Sequence, residues 1–272
     1  DDQAREQIRQ LTDVDAVTPP RGLAAELRPY QERGLAWLYR NARSGLGAIL
    51  ADDMGLGKTL QVIALILRLK EDGELDAAKA LIIVPTTLLT NWQHEVEQFA
   101  PSLSMAVYHG AARRLDAHEA PDLLLTTYGT ARRDAAKLKR RAWRLLVVDE
   151  AQNLKNPSAE QTRAVKTIPA QAKIAMSGTP VENRLVEYWS IMDLVNPKYL
   201  GTRKQFDTQY GKPIQVHGDE HAAERFRRIT RPFLMRREKT DKTIISDLPE
   251  KIVQDQFAEL ATEQSALYES VV

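Results

Sequence analysis

The chain has no cysteine among its 272 residues. That excludes disulfide bonds and thiolate metal centres. Histidine is sparse, and His94, His109, His118, His217 and His221 fall at no metal-ligand spacing. A transition-metal site therefore has little support. No apolar run approaches the ~18–20 residues that a membrane-crossing helix needs, so no membrane partner is expected. Net charge is only +1, which argues against indiscriminate adhesion to nucleic acid. The N-terminus, Asp-Asp-Gln-Ala-Arg-Glu-Gln, lacks the basic and apolar regions of a secretory signal. It also lacks an initiating methionine, and the chain reads as a piece of something longer. No internal repeat or low-complexity segment stands out.

What is present is concentrated in two segments. Ala51-Asp52-Asp53-Met54-Gly55-Leu56-Gly57-Lys58-Thr59 lies between an apolar run and a helical pattern. Gly55 and Gly57 let backbone N–H groups approach phosphate oxygens, with Asp53, Met54 and Leu56 completing the loop. Lys58 can reach β and γ phosphates, and the Thr59 hydroxyl can ligate Mg²⁺. Further on, Val147-Val148-Asp149-Glu150 ends an apolar run with two carboxylates. Asp149 would hold the metal shell, and Glu150 would orient and deprotonate an attacking water.

Each half alone is weak. The generic phosphate loop has Gly six residues before the Lys, and position 52 is Asp. Gly-x-Gly-Lys-Thr by itself can be a helix-initiating turn, and a strand ending in Asp-Glu is commonly just a solvated strand end. Together, in order and with the right flanks, they imply a nucleoside triphosphate site with Mg²⁺.

The surrounding pattern alternates. Residues 1–17 predict an amphipathic helix with Ile8, Leu11 and Val14 at three-residue spacing, followed by a linker through Gly22. A helix is predicted over 30–43, a short strand over 48–51 and a helix over 58–70. Strands follow at 80–84, 105–108, 122–127, 144–148 and 173–177, and helices at 87–99, 129–140 and 158–167. This predicts an α/β fold with a mainly parallel sheet covered by helices on both faces. Such sheets bind ligands at the carboxyl ends of their strands. The 173–177 strand is expected between the phosphate-loop strand and the Asp149 strand, which would bring Ser177-Gly178-Thr179 beside the nucleotide. From 186 to 240 the pattern reads as a helical C-terminal extension, with Trp189, Phe206, Phe226 and Phe233 as core aromatics. Charge gathers in two places: seven basic residues against one acid over 131–144, and eight against two over 225–242. Each alone reads as a solvated helix face.

The motifs resemble one family. Leu27-Arg28-Pro29-Tyr30-Gln31-Glu32-Arg33-Gly34 resembles the adenine-reading segment of SWI/SNF-type ATPases, within superfamily two of the helicases. Ala51 through Thr59 resembles their phosphate loop, including the Asp at position 52. Ile82-Ile83-Val84-Pro85 with Leu89-Thr90-Asn91-Trp92 resembles motif Ia, and Leu125-Thr126-Thr127-Tyr128 resembles motif Ib. Asp149 through Asn156 resembles motif II, and Ser177 through Asn183 resembles motif III. Phe233 through Lys239, then Leu248-Pro249-Glu250-Lys251, resembles the family's linker segment.

The resemblance implies the first RecA-like P-loop NTPase lobe. Its domain reading is an N-terminal helical segment and linker over 1–22, the ATP-binding lobe over 23–200, a helical protrusion and linker over 201–250, and the start of a connection to a second lobe over 251–272. It implies ATP-driven translocation on double-stranded DNA that remodels or displaces a bound protein. Gln31 would read the adenine edge. Thr86, Asn91, Thr127 and Lys155 would contact DNA phosphates, although Thr86 and Thr127 read equally well as strand-end caps. Trp92 reads as packing, and Arg236 and Arg237 as a brace between lobes. Many members carry His where this chain has Gln152. Gln keeps a donor and an acceptor but does not titrate near neutral pH, and it can still link Glu150 to motif III. The partners implied are duplex DNA, a second RecA-like lobe and a DNA-bound protein. The location implied is a prokaryotic cytoplasm at the nucleoid, or a nucleus in a eukaryote. An RNA-directed or polymerase-recycling ATPase and a nucleotide-binding scaffold without motor activity remain open readings.

Overall fold

The computed structural model describes residues 17–115, 120–178 and 185–241. The predicted helix at 1–17 and the segments around Thr179–Asn183 and Leu248–Val272 lie essentially outside the described residues. Seven strands form one sheet: β1 (Ala48–Leu50), β2 (Lys79–Val84), β3 (Met105–Tyr108), β4 (Leu123–Thr127), β5 (Trp143–Val148), β6 (Ala172–Met176) and β7 (Leu234–Met235). Their order is β3-β4-β2-β5-β6-β1-β7, and each pair is parallel. The α/β architecture therefore matches the alternation in the sequence. As expected, β6 lies between β1 and β5.

The two-residue period of the strands divides the core. Leu50, Ile82, Val84, Leu145, Val147 and Ile174 face one side. There they meet α1 (Pro29–Arg43), α2 (Lys58–Glu71) and α3 (Leu89–Phe99). Ile49, Leu81, Ile83, Leu146, Val148 and Ala175 face the other side and meet Tyr128, Val165, Tyr188, Met192 and Phe226. Each fully buried Leu or Ile contributes roughly 1.5–3 kcal/mol by leaving water. Because both faces are covered, β2 and β5 are almost continuously apolar, as parallel strands usually are. Among the described residues no helix is long and apolar enough to cross a membrane.

Three elements depart from the sequence reading. The helix expected over 129–140 divides into α4 (Tyr128–Arg133) and α5 (Ala135–Leu138). Asp134 stands at the break, where its carboxylate accepts from Tyr108 Oη at 2.8 Å and from Arg113 Nε at 2.6 Å. The helix expected from 87 opens as a 3₁₀ turn at Thr86–Leu88. The chain also returns to the sheet at Leu234–Met235, inside the stretch read as helical to 240. A two-residue edge strand is too short to carry a period. Before that return, Phe206, Tyr210, Phe226 and Phe233 pack in the same core as Ile49 and Val148.

Candidate nucleotide site

β1 delivers the chain to a loop whose conformation requires glycine. Gly55 has φ 81° and Gly57 has φ 73°, both in the left-handed region. A Cβ at Gly57 would come within 2.3 Å of Gln31 Nε2. Gly57 is also the N-cap of α2 and makes no side-chain cap hydrogen bond. The first N–H groups of a 14-residue helix are thus aimed at the loop, a natural anion seat.

Lys58 opens that helix. Its Nζ donates to the Asp52 carbonyl at 2.6 Å and the Asp53 carbonyl at 3.2 Å. Burial holds its pKa below the usual lysine value, against the pull of Asp52, Glu150, Asp149 and Asp53. The ammonium is tethered by carbonyls rather than by a salt bridge, so its charge stays available to an anion.

Across the cavity stands the end of β5. Asp149 N–H completes the sheet by donating to Ile83 O at 2.9 Å. Its carboxylate accepts from Trp92 Nε1 at 2.8 Å and from Glu150 N at 2.8 Å. Burial raises the Asp149 pKa, opposed mainly by those two hydrogen bonds. Glu150 sits at φ 50°, a left-handed conformation rare outside glycine. The turn it makes aims its carboxylate past Asp149, where Gln152 Nε2 donates to it at 2.5 Å. Ser177 Oγ in turn donates to Gln152 Oε1 at 3.1 Å. One amide therefore bridges Glu150 to the end of β6.

These groups line one cavity of about 590 Å³, bounded by Gly55, Lys58, Thr59, Asn91, Asp149 and Glu150 among others. The residues fit a magnesium–triphosphate: one ammonium, one hydroxyl, two carboxylates and free helix N–H groups, with only hard oxygen donors for the cation. Among the described residues no group of three or more His, Asp or Glu side chains could hold a metal alone. A cation here would need substrate oxygens to complete its shell.

Other predicted residues fall differently. Gln31 is buried at 6% exposure, its Oε1 accepting from Arg28 N at 2.9 Å and its Nε2 reaching the Leu56 carbonyl at 3.4 Å. Met54 is 67% exposed and covers Gly178, where a Cβ would lie 2.9 Å from Met54 Cγ. Thr127, expected as a DNA contact or a strand-end cap, caps α4 in this structure. It is 2% exposed, accepts from Thr130 N and pairs with His109 Nδ1 at 3.2 Å. Asn91 lines the same cavity and donates to Glu95 at 2.8 Å. Thr86 is exposed at the end of β2, and Lys155 is exposed and 3.7 Å from Glu187. The basic cluster of 131–144 is not one face, because Arg144 is buried in β5 against Glu74.

Two residues are more than the sequence reading allowed. Trp92, read as packing, donates to the Asp149 carboxylate. Arg237, read as a brace between lobes, is buried inside this one beside Asp52.

The SNF2-related domain family matches residues 30–272. The chain belongs to that family. It is 43% identical over 280 residues to the Bacillus subtilis protein YwqA, named as an ATP-dependent helicase/translocase; the match covers 99% of this chain and 30% of YwqA. It is 37% identical over 294 residues to the Saccharomyces cerevisiae TATA-binding protein-associated factor MOT1, covering 97% of this chain and 16% of MOT1. The fold superposes on the Sulfolobus solfataricus SWI2/SNF2 ATPase core in complex with double-stranded DNA with TM-score 0.81 and 41% identity, covering 94% of this chain and 53% of that one. The chain thus spans about half of that solved core and under a third of these two relatives. The expected RecA-like lobe of a SWI/SNF-type, helicase-like ATPase family is what the chain contains.

Proposed function

We propose that this chain is the ATP-binding lobe of a DNA-dependent ATPase that translocates on double-stranded DNA and thereby remodels or displaces bound proteins. The observation that carries this reading is the convergence on one cavity of Lys58, Thr59, Asp149 and Glu150, with Gln152 joining Glu150 to Ser177.

In that reaction Lys58 leaves the two loop carbonyls for the β and γ phosphates, and the N–H groups at the start of α2 hold the remaining phosphate oxygens. Thr59 and Asp149 would hold a Mg²⁺, which would supply positive charge to offset that of the phosphates. Glu150 orients the attacking water and takes its proton at a carboxylate oxygen. Gln152 fixes that carboxylate by donating to its other side and reports to Ser177. Gln31 reaches the adenine edge by exchanging its Leu56 contact. DNA is held mainly by phosphate contacts, with exposed Thr86 and Lys155 as the best placed of the expected residues.

A second RecA-like lobe would supply an arginine across the cleft, which in related hydrolases is worth ~10³–10⁵ in rate. The test compares this lobe alone with the full-length protein. Residues 1–272 should bind ATP and DNA weakly and hydrolyse almost nothing. The full-length protein should show hydrolysis stimulated by duplex DNA and suppressed steeply by salt, as counterion release requires. Stimulation by RNA alone would favour an RNA-directed ATPase. Nucleotide binding without any stimulated turnover would favour a scaffold. Strong turnover by the lobe alone would show that the catalytic site is complete within it.

A further inference from the structure

Position 52 breaks the generic phosphate-loop spacing by placing Asp where glycine is usual. The structure explains the substitution. Asp52 is fully buried, and its partner is Arg237, itself 7% exposed and 185 residues away in sequence. Arg237 Nε donates to Asp52 Oδ1 at 2.9 Å, and Nη2 donates to Oδ2. Nη2 also donates to Gln61 Oε1 at 2.6 Å, and Nη1 to the Tyr30 carbonyl. The guanidinium carbon stands 5.2 Å from the Tyr30 ring centroid.

One side chain therefore ties the phosphate loop to α1 and α2. The backbone runs the same way. Ala51 N donates to Met235 O at 2.7 Å and Asp53 N to Arg237 O at 3.0 Å, while Lys239 N donates to Asp53 Oδ2 at 3.0 Å. The fold leaves room for the fork at Gly34, where a Cβ would lie 1.9 Å from Gln61 Oε1 and 3.0 Å from Arg237 Nη2.

We propose that Arg237 is a positioning residue for nucleotide binding: it closes the phosphate loop onto the segment 234–239, and the loop holds its phosphate-ready shape only while that segment is docked. This rests on the nucleotide-site reading above. A buried ion pair is a poor source of net stability, because desolvation offsets its attraction. What it supplies is geometry. The bidentate fork fixes the Asp52 carboxylate in plane, and Asp52 and Asp53 present the carbonyls that hold Lys58. Lysine has no such fork. The same segment lays Lys239 over the loop, where a Cβ at Gly55 would lie 2.9 Å from its Nζ. Binding of nucleotide and docking of the chain that continues from β7 thus become one equilibrium.

The test uses the full-length protein, a fluorescent ATP analogue with Mg²⁺, and thermal melting of each variant. Arg237→Lys should weaken nucleotide affinity at least tenfold and lower the melting temperature. The double variant Asp52→Asn with Arg237→Met removes both buried charges. It should recover most of the melting temperature while affinity stays weak, and hydrogen exchange at residues 51–57 should remain faster than in the wild type. Affinity that recovers together with the melting temperature would overturn the proposal in favour of a purely structural pair. Affinity within twofold of wild type in Arg237→Lys would also overturn it. If the wild type binds no nucleotide, the site reading itself fails, and the proposal with it. Should Arg237→Lys fail to fold, the double variant still decides.

Discussion

The two ends of the sheet hold their charges in different ways. At the amino ends of the strands, charge meets charge. Arg144 Nε donates to Glu74 at 2.7 Å, Lys70 stands 2.8 Å from Asp122, and Lys166 stands 2.8 Å from Asp193. In the cavity at the carboxyl ends, the charges are held by neutral groups. Lys58 rests on carbonyls, Asp149 on an indole N–H and a backbone N–H, and Glu150 on an amide. A charge satisfied by its opposite has little left for a ligand. A charge held by dipoles is oriented but still unbalanced, so it can take up a phosphate, a cation or a proton. Beside the cavity Asp52 is paired with Arg237, and its pairing marks it as a support for the loop rather than a contact with substrate.

The largest test of this contrast is at the cavity. Lys58→Ala in the full-length protein should reduce ATP turnover by at least ~10³-fold and weaken nucleotide binding, since it removes the cation proposed to meet the β and γ phosphates. Glu150→Gln should separate the two effects, leaving ATP bound while hydrolysis falls by ~10²–10⁴. Unchanged turnover in the first variant, or lost binding with normal turnover per bound ATP in the second, would break the assignment.

Much of this was legible because it repeats at short range. The strand-loop-helix at Ala48–Glu71 carries its own glycines, and the strand ending in Asp149 carries its own carboxylates. The place of β6 beside β1 followed from recognising the motifs, not from periodicity. The Trp92–Asp149 and Asp52–Arg237 contacts were not legible, since no spacing rule connects residues brought together only by tertiary packing. Asp52 did leave one trace. An acid in a glycine position of a buried loop calls for a cation somewhere, though it does not say where. For Thr127 the sequence leaves two readings open, because a hydroxyl at a strand end serves a DNA phosphate or a cap equally well.

Trp92 sharpens the comparison next. Trp92→Phe keeps an aromatic ring in the core but removes the N–H that holds Asp149. If Asp149 binds the cation as proposed, losing the group that orients it costs about 10–100-fold in affinity or activity. The Mg²⁺ concentration giving half-maximal nucleotide binding should rise within that range, with the fold intact by circular dichroism. An unchanged Mg²⁺ requirement would return Trp92 to packing alone.

The opposite end should respond in the opposite currency. Arg144→Met leaves Glu74 without its buried partner, and Glu74 is exposed enough to rehydrate in part, with 22% of its side-chain surface accessible. The loss should be about 2 kcal/mol, below the full cost of breaking a buried pair. Denaturant unfolding measures that loss, and nucleotide affinity should not change. A tenfold change in affinity with no loss of stability would erase the distinction between the two ends.

The smallest effect tests a buried cation at the amino ends that is held by a carbonyl. Lys173 Nζ donates to the Lys166 carbonyl at 3.1 Å. Burial lowers its pKa from 10.5 to about 8, with Asp193 pulling it back up and Lys166 pushing it further down. Below pH 8 the charged form is buried at a cost that the unfolded chain does not bear. Between about 8 and 10.5 the folded protein has released this proton while the unfolded chain retains it, so stability gains from this site as pH rises. The shift caps the gain at about 3 kcal/mol, and the hydrogen bond to Lys166 offsets part of it. Lys173→Met should therefore stabilise the protein by about 1 kcal/mol at pH 7, and its advantage over wild type should shrink as pH climbs from 8 to 10. Urea unfolding of both proteins across that range measures the difference directly. A destabilised variant whose deficit does not vary with pH would mean that the ammonium is a useful tie at the amino end of β6 rather than a buried charge the fold merely tolerates.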